Sequence, residues 1–504
     1  MTTGKALNGK PYAGKPHVRV DEGEVASAAM PRHGSLLYKL KTIASIAVLA
    51  SAFVCTAAEP RSAVSAPALV PMPREVKLTG GTISCSSAPK VERVAGLPKE
   101  GYELSVTSNG VMIRASDDAG EFYARQTLAQ LADAKSASIP CCEIKDSPRF
   151  WWRGVHVDDV RHFMGKEGVK RTIDEMSKYK FNVFHWHLTD DQAWRLEIPE
   201  YPRLTARLGS RFYTADDVKE VVEYAAERHV TVVPEVEFPG HFSAACNAYS
   251  DFKCPVGGNP NALCVGNSNA VRFAEKVLDR VCELFPSRVV HFGGDECLRW
   301  AWEKCPRCQE LIKREGFSGI EAIQPWLTRR LTEFLAAKGR DAIGWDEIFD
   351  GAGNDLPKGT MGMCWRTEGI GAGAANKGHR IVRCPTSHCY FDYSQGLEGD
   401  PFWYFGQKNG WKTLLEKVYS FDPLDGVGPE AKANVVGGQC CNWTEVTAKP
   451  AELEWKLWPR ALALAEVLWT YPDPDKRDFD DFKRRVEIRR DEMVARGVNA
   501  APPF

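Results

Sequence analysis

The feature that most constrains this fold is a repeated alternation of short apolar runs and amphipathic helices in the last 350 or so residues. One intervening helix spans 214–229, where Thr214 can cap the first turn with Asp217. Eightfold strand–helix alternation is typical of an α/β protein with a (β/α)8 TIM-type barrel, whose active site lies at the carboxyl ends of the strands. The eight runs span 154–157, 183–188, 230–236, 289–293, 342–345, 361–365, 380–384 and 435–440.

The spacing of the runs also predicts an irregularity and a second domain. Runs five, six and seven start only about 19 residues apart, so we expect one intervening helix to be reduced to a loop. Upstream of Asp146-Ser147-Pro148, short β-rich stretches (82–84, 102–107 and 110–115) and one helix (119–133) predict a small α+β domain. We therefore divide the chain into an N-terminal extension with an export signal (1–58), the small domain (59–147) and the barrel (148–504).

The extension has the pattern of an export signal. Lys39 and Lys41 precede an uncharged apolar run at 42–54, and small residues follow it. The run is shorter than the roughly 20 residues that a membrane-spanning helix needs. We expect an exported protein that starts near Glu59, with Met30 as the translation start. A short buried helix is the alternative, and a lipid anchor at Cys55 is a weaker one because the bulky Phe53 and Val54 precede it.

Charge and cysteine content narrow the partners. The 65 Lys and Arg nearly balance the 66 Asp and Glu, which disfavours nucleic acid as a ligand, and no segment predicts a membrane span. Sixteen cysteines leave an odd number once Cys55 is removed, so some thiols stay unpaired. Cys305 and Cys308 have the spacing of half a zinc site; a second pair would have to come from Cys246, Cys254, Cys264 or Cys297. The sequence does not predict the oligomeric state.

Polar residues gather where the eight runs end. Carboxylates and aromatic rings around a barrel mouth suit glycoside hydrolysis, and metal-dependent hydrolysis is the competing use. His185 and His187 share one face of a run; we interpret them as hydrogen-bonded barrel packing rather than as metal ligands. The run-end residues are Asp158, Asp159, Asp190, Asp191, Glu235, Glu237, His241, Asp295, Glu296, Asp346, Glu347, Trp365, Arg366, Asp392, Trp443 and Glu445.

The segment from His291 to Glu296 carries the sharpest signal. Gly293 and Gly294 allow a ligand to approach the backbone. The adjacent Asp295 and Glu296 place two carboxyls together, where repulsion and burial raise the pKa of one of them. Neighbouring strand residues point to opposite faces, so we expect the glycines to break the strand and bring both carboxyls to one site.

These segments resemble the family 20 glycoside hydrolases, the exo-acting β-N-acetylhexosaminidases. The resemblance covers about residues 71–469 and includes the small leading domain. It rests on Trp152-Arg153-Gly154, Asp158, Arg161-His162, Phe184 to Asp191, Pro234 to His241, His291 to Glu296, Gly344 to Glu347, Trp365 and Trp458 to Ala461.

The resemblance implies a retaining mechanism in which the substrate supplies the nucleophile, and it implies no cofactor and no metal. Glu296 would be the general acid and later the base. Asp295 would orient the 2-acetamido group, whose oxygen attacks the anomeric carbon to form an oxazolinium, while Tyr390 binds that oxygen. Asp190 and His241 would support the acid. Trp345, Trp365 and Trp443 would line the sugar site.

The resemblance also implies which sugars bind. Arg153 would bind the hydroxyls at carbons 3 and 4, and Glu445 those at carbons 4 and 6, which selects a terminal N-acetylglucosamine or N-acetylgalactosamine of a glycan. Three alternatives stay open: a disaccharide-releasing enzyme of the same family, a non-catalytic sugar-binding barrel and a metal-dependent hydrolase. Arg153 pairing only with Asp158 is the simpler role for that side chain. Segments 247–269 and 399–411 look like loops over the mouth.

Overall fold

A computed structural model describes residues 67–132, 136–256, 261–351, 356–357, 359–397, 400, 411–470 and 477–504. The predicted extension and export signal lie outside these residues and stay predictions, as does most of the segment at 399–411. Among the described residues, no helix is both long and apolar enough to cross a bilayer.

The small domain is a five-stranded sheet covered by one helix. Its strands are β1 (Glu75–Ser84), β2 (Lys90–Arg93), β3 (Tyr102–Thr107), β4 (Gly110–Ala115) and β5 (Ser138–Asp146), in the order β1-β5-β3-β4-β2. Helix α1 (Asp118–Leu131) packs on β3 and β4. Tyr102, Leu104 and Val106 of β3 alternate into the core, as expected of a sheet with one buried face. The sequence patterns predicted β3, β4, α1 and the last three residues of β1, but they missed the rest of β1 and all of β2 and β5.

The rest of the described chain forms the predicted barrel. Eight parallel strands close in the order β10-β11-β12-β13-β6-β7-β8-β9, and nearly every strand residue is buried. Each strand overlaps one of the eight predicted runs. They are β6 (Trp152–Asp158), β7 (Val183–His187), β8 (Thr231–Glu235), β9 (Val289–His291), β10 (Asp341–Trp345), β11 (Met361–Cys364), β12 (Arg380–Arg383) and β13 (Val435–Asn442).

Helices follow the strands and surround the barrel. Among the described residues between β10 and β11, the helical element is a 3-10 turn (Asp346–Phe349) and not an α-helix, which agrees with the predicted reduction of one helix. The α-helices that follow the barrel strands are α2 (Gly165–Lys178), α3 (Ala215–Ala226), α4 (Ser243–Ala248), α5 (Ser268–Leu284), α6 (Trp300–Lys304), α7 (Pro306–Glu315), α8 (Ile323–Ala337), α9 (Glu368–Asn376), α10 (Thr386–Cys389), α11 (Leu415–Tyr419), α12 (Pro450–Leu457), α13 (Arg460–Trp469) and α14 (Phe479–Ala495).

Helix α3 shows how the sequence sets a helix start. Thr214 accepts a hydrogen bond from the Asp217 backbone N–H, and the Asp217 carboxylate accepts one from the Thr214 N–H. This reciprocal capping box satisfies two amide groups that have no partner within the helix. Val218, Val221 and Ala225 then form the stripe that packs against the barrel.

A buried polar cluster joins the small domain to the end of the barrel where the strands begin. The Lys180 ammonium, 1% exposed, lies 2.9 Å from Asp146 Oδ2 and 3.0 Å from the Tyr102 hydroxyl. Trp469 Nε1 donates to the same carboxylate, and the ammonium lies 4.4 Å from the centre of the Trp469 ring. Burial lowers the pKa of Lys180, whereas Asp146 opposes that effect. The ion pair therefore replaces the water that both charges lose on folding.

We predict that Lys180→Met lowers the free energy of unfolding by about 3–5 kcal/mol, because it leaves a buried carboxylate without its counter-charge. Lys219→Met is the matched control: Lys219 forms an exposed pair with Glu223 at 3.9 Å, and its loss should cost less than about 1 kcal/mol. Urea unfolding of the two variants measures both values. Equal losses would show that the buried pair contributes no more than a surface pair.

Candidate active site

The two glycines after β9 break the strand as expected. The φ angles are 73° at Gly293 and 106° at Gly294, a region that favours glycine. A Cβ at Gly293 would lie 1.7 Å from Glu237 Oε2, so only glycine fits against that carboxyl. Glu296 also has a left-handed φ, 42°, which is unusual for a side chain of this size. The turn therefore allows the adjacent side chains of Asp295 and Glu296 to approach the same residue, His241.

The adjacent carboxyls meet at one histidine. His241 Nε2 lies 3.4 Å from Asp295 Oδ2 and 3.6 Å from Glu296 Oε2. On its other side, His241 Nδ1 lies 3.1 Å from Asp190 Oδ1. Asp295 and Asp190 are buried, whereas the Glu296 side chain is 33% exposed. The structure thus brings together four of the predicted catalytic residues, with Glu296 the one most open to a ligand.

Charge pairing sets the ionisation of this chain of groups. Burial alone would raise the pKa of Asp190, but Arg161, 2.8 Å away, and His241 hold it well below its usual range. Burial alone would lower the pKa of His241, but Asp190 and Asp295 raise it well above its usual range. At neutral pH the structure therefore holds an Asp190 anion against a His241 cation.

Two further carboxyls lie beneath Asp295. Burial raises the pKa of Glu237 well above its usual range, and the negative charges of Asp295 and Glu235 add to that effect. Burial, with Asp346 and Asp295, does the same for Glu347. Glu347 accepts a hydrogen bond from Trp365 Nε1 at 3.0 Å. Their neutral forms are therefore favoured more than those of exposed glutamates.

The Glu235 carboxylate forms the floor of the hollow and is fully buried. Its Oε2 lies 2.7 Å from His187 Nδ1 and 3.1 Å from His185 Nε2. Its Oε1 lies 2.9 Å from His291 Nδ1 and accepts a hydrogen bond from Trp345 Nε1 at 2.7 Å. Histidines around a carboxylate are residue types that can bind a metal ion. Each of these three imidazole rings, however, is already within hydrogen-bonding distance of the Glu235 carboxylate. The arrangement fits the predicted hydrogen-bonded packing of His185 and His187.

Aromatic rings form one wall. Trp365 and Tyr390 are stacked with centroids 6.1 Å apart, and Tyr390 and Trp443 lie 6.5 Å apart. Trp345 lies 5.8 Å from Trp443. Burial raises the pKa of Tyr390 well above 10, so its hydroxyl remains a hydrogen-bond donor. The structure thus brings the four predicted aromatic residues together beside the carboxyls.

The predicted role of Arg153 is wrong. Arg153 lies at the start of β6, and the active site of a barrel lies where the strands end. Its guanidinium is 1% exposed and donates to Glu100 at 2.7 Å, to Tyr123 at 3.1 Å and to two backbone carbonyls. It also does not pair with Asp158, the simpler alternative. Arg153 instead joins the barrel to the small domain.

Arg161, which follows the end of β6, takes the place expected of Arg153. Its guanidinium pairs with Asp190 and Asp158 and lies 5.0 Å from the centre of the Trp443 ring. Glu445 is close enough to raise its pKa further. The direction of the strand is the sequence signal that separates the two arginines: Arg153 precedes the apolar run, and Arg161 follows it.

The site offers a carboxyl acid open to solvent, a buried carboxylate beside it, an aromatic wall and an Arg–Asp pair. Such a mouth on a (β/α)8 barrel defines the class of glycoside hydrolases. Two family profiles match the chain: "Glycosyl hydrolase family 20, catalytic domain" over residues 150–472, and "Glycosyl hydrolase family 20, domain 2" over 88–147. The chain belongs to glycosyl hydrolase family 20.

Curated relatives agree with this assignment. The chain is 37% identical to a β-hexosaminidase of Porphyromonas gingivalis and 34% identical to one of Vibrio furnissii. These alignments cover 82% and 73% of the chain but only 56% and 65% of the relatives, which are longer. A β-hexosaminidase of Akkermansia muciniphila is 30% identical, with 87% of the chain and 92% of the relative aligned.

Solved structures show the same architecture. An exo-β-N-acetylglucosaminidase of Vibrio harveyi, in complex with N-acetylglucosamine, superposes with a TM-score of 0.78 at 27% identity, covering 91% of this chain and 82% of that one. A β-N-acetylhexosaminidase of Bacteroides fragilis gives a TM-score of 0.77 at 29% identity, covering 86% and 97%.

The floor of the site predicts a pH-dependent stability. Burial lowers the pKa of His187, but Glu235 and Asp190 outweigh it and raise the pKa to about 10. The pKa of His187 in the folded state exceeds its unfolded value of about 6.5. The stabilisation of the folded state by protonated His187 is therefore complete below about pH 6.5 and is lost as the pH rises through about 10. His187→Gln should therefore cost several kcal/mol at pH 6 and progressively less up to pH 10. Urea unfolding of both proteins at several pH values measures this difference; a cost independent of pH would contradict the assignment.

Proposed function

We propose that this protein is an exo-acting β-N-acetylhexosaminidase that removes terminal N-acetylglucosamine or N-acetylgalactosamine from glycans with retention of configuration. The observation that carries the proposal is that Asp295 Oδ2 and Glu296 Oε2 lie 3.4 Å and 3.6 Å from the same His241 nitrogen. Family membership and the names of the relatives support the same activity.

Glu296 is the acid in this proposal. Its partial exposure lets it reach a glycosidic oxygen, to which it gives its proton as the bond to the anomeric carbon breaks. The carboxylate that forms is stabilised by the His241 cation, which Asp190 holds in place. Glu296 then removes a proton from the water that attacks the intermediate, which restores its starting state.

Asp295 orients the nucleophile. As an anion it accepts a hydrogen bond from the N–H of the substrate's 2-acetamido group, and the Tyr390 hydroxyl donates to the acetamido oxygen. An electron pair of that oxygen forms the new bond to the anomeric carbon. The glycosidic bond breaks at the same time, and the glycosidic oxygen leaves with its electron pair and takes the proton from Glu296. Because the attack is intramolecular, it gains an effective molarity that can lower the barrier by about 7 kcal/mol or more.

The walls account for the sugar class. Trp345, Trp365 and Trp443 offer apolar faces to the acetamido group and the ring. Arg161, rather than Arg153, binds the hydroxyls remote from the cleaved bond together with Glu445. Polar groups at this end favour a terminal residue over the disaccharide-releasing alternative.

We predict that Glu296→Gln lowers kcat/KM by about 100- to 10,000-fold on N,N′-diacetylchitobiose. A 4-nitrophenyl N-acetylglucosaminide should lose much less, because its leaving group needs less protonation. Glu303→Gln, an exposed residue of α6, is the matched control and should leave both rates unchanged. Equal losses on the two substrates, or no loss on either, would reject Glu296 as the acid, and no hydrolysis by the unmodified chain would favour a non-catalytic barrel.

Fluorine substitution tests whether the acetamido oxygen is the nucleophile. Fluorine on the acetamido methyl withdraws electrons from the attacking oxygen. Across the 4-nitrophenyl acetamido, monofluoro-, difluoro- and trifluoroacetamido glycosides, kcat/KM should fall more than about tenfold in total, an increase of about 1.4 kcal/mol in the barrier. The control is an enzyme with a carboxylate nucleophile, which should show a flat series. A flat series here, or a sugar ester detected on the chain by mass spectrometry, would reject substrate assistance.

A further inference from the structure

Four cysteines outside the catalytic hollow meet at one point. Cys254 and Cys264 lie in the segment after α4, and Cys305 and Cys308 lie at the start of α7. All four are fully buried, at 0% exposure. The sequence offered Cys305 and Cys308 as half a site without deciding between four candidates for the second pair. The structure selects Cys254 and Cys264.

The sulfur separations distinguish a metal site from disulfides. The Sγ atoms lie 3.8 Å apart for Cys254 and Cys308, 3.7 Å for Cys264 and Cys305, and 3.9 Å for Cys264 and Cys308. All four sulfurs lie within 4.8 Å of one another. A disulfide needs about 2.05 Å. Four thiolates around a tetrahedral zinc at about 2.3 Å stand about 3.8 Å from each other.

We propose that Cys254, Cys264, Cys305 and Cys308 bind one structural zinc ion. Four protein ligands fill the tetrahedral shell and leave no position for water, so the ion has no catalytic role. Four soft thiolates and no oxygen ligand select zinc over magnesium, calcium or manganese. Each thiol gives up its proton to solvent as it binds, and no oxidation is involved.

The surroundings suit the negative charge of such a centre. Cys305 is the N-cap of α7 and Cys308 lies in its first turn, where the positive end of a ten-residue helix stabilises thiolates. The Gly266 backbone N–H donates to Cys308. Lys253 and Arg307 are the sequence neighbours of two of the ligands.

The ion would hold together the two loops that carry the catalytic groups. One loop runs from β8 through His241 to Cys264, and the other runs from β9 through Asp295 and Glu296 to Cys308. Their backbones already touch: a Cβ at Gly240 would lie 2.5 Å from the Asp295 carbonyl, and a Cβ at Gly266 would lie 2.2 Å from the Arg307 carbonyl. The zinc would therefore fix the distance between His241 and the two carboxyls. It is inferred from the thiols alone and does not rest on the proposed function.

Metal content tests the proposal directly. The full chain, expressed with added zinc and purified without chelator, should contain about one zinc per chain by plasma mass spectrometry. Cys264→Ser and Cys308→Ser should each lower that content at least about tenfold. Cys246→Ser is the matched control: Cys246 is buried on α4 but lies outside the group, and this variant should keep its zinc.

A second measurement uses the unmodified chain, so it does not depend on the variants folding. Cobalt exchanged into the protein should give thiolate charge-transfer bands and the visible spectrum of a tetrahedral ion. Alkylation in denaturant should label four more thiols after metal removal than before it. The proposal is overturned by iron in place of zinc, by a chain without metal whose four thiols react freely, or by an intact mass lower by four hydrogens, which would indicate two disulfides.

Discussion

The buried Glu235 carboxylate is the interaction on which the rest of the site depends. It contacts rings from three neighbouring strands, β7, β9 and β10, and so fixes the histidines and Trp345 at the barrel mouth. His187 passes that constraint on, because its other nitrogen lies 3.0 Å from Asp190 Oδ2. Asp190 in turn orients His241. One buried carboxylate, paired with the His187 cation and in contact with the neutral His185 ring, is thus connected through His187 to Asp190 and His241.

The catalytic loops add a second constraint, which is steric. His241 and Glu296 both have positive φ angles, 47° and 42°, although neither is a glycine. Such backbone conformations persist only where the surrounding structure enforces them, and they concentrate at functional sites. The two loops are in direct backbone contact at Gly240, where a Cβ would lie 2.5 Å from the Asp295 carbonyl, and this contact restrains the chain beside both residues.

The barrel was predictable from the sequence because strand periodicity and helix caps are local signals. All eight runs became strands, and the polar residues at their ends met because parallel strands end at one face. The predicted role of Arg153 was wrong because it rested on the motif alone and not on where the arginine lies along its strand. The cysteine partners were not predictable because their pairing depends on how two loops pack, over sequence separations of 41 to 54 residues. Strand β2, with four exposed residues, has no apolar alternation to reveal it.

Burial and charge differ around the two adjacent carboxyls, Asp295 and Glu296, and this difference supports the separate roles that we propose for them. Asp295 is buried and lies 3.4 Å from His241. Burial and the negative charges around them raise the pKa values of Glu237 and Glu347, so ionising either carboxyl beside Asp295 is unfavourable. Glu296 is the more exposed of the pair, which suits the exchange of protons with a leaving group and with water that we propose for it. Buried acids whose ionisation is disfavoured therefore surround the proposed acceptor, while the proposed acid stays open to solvent.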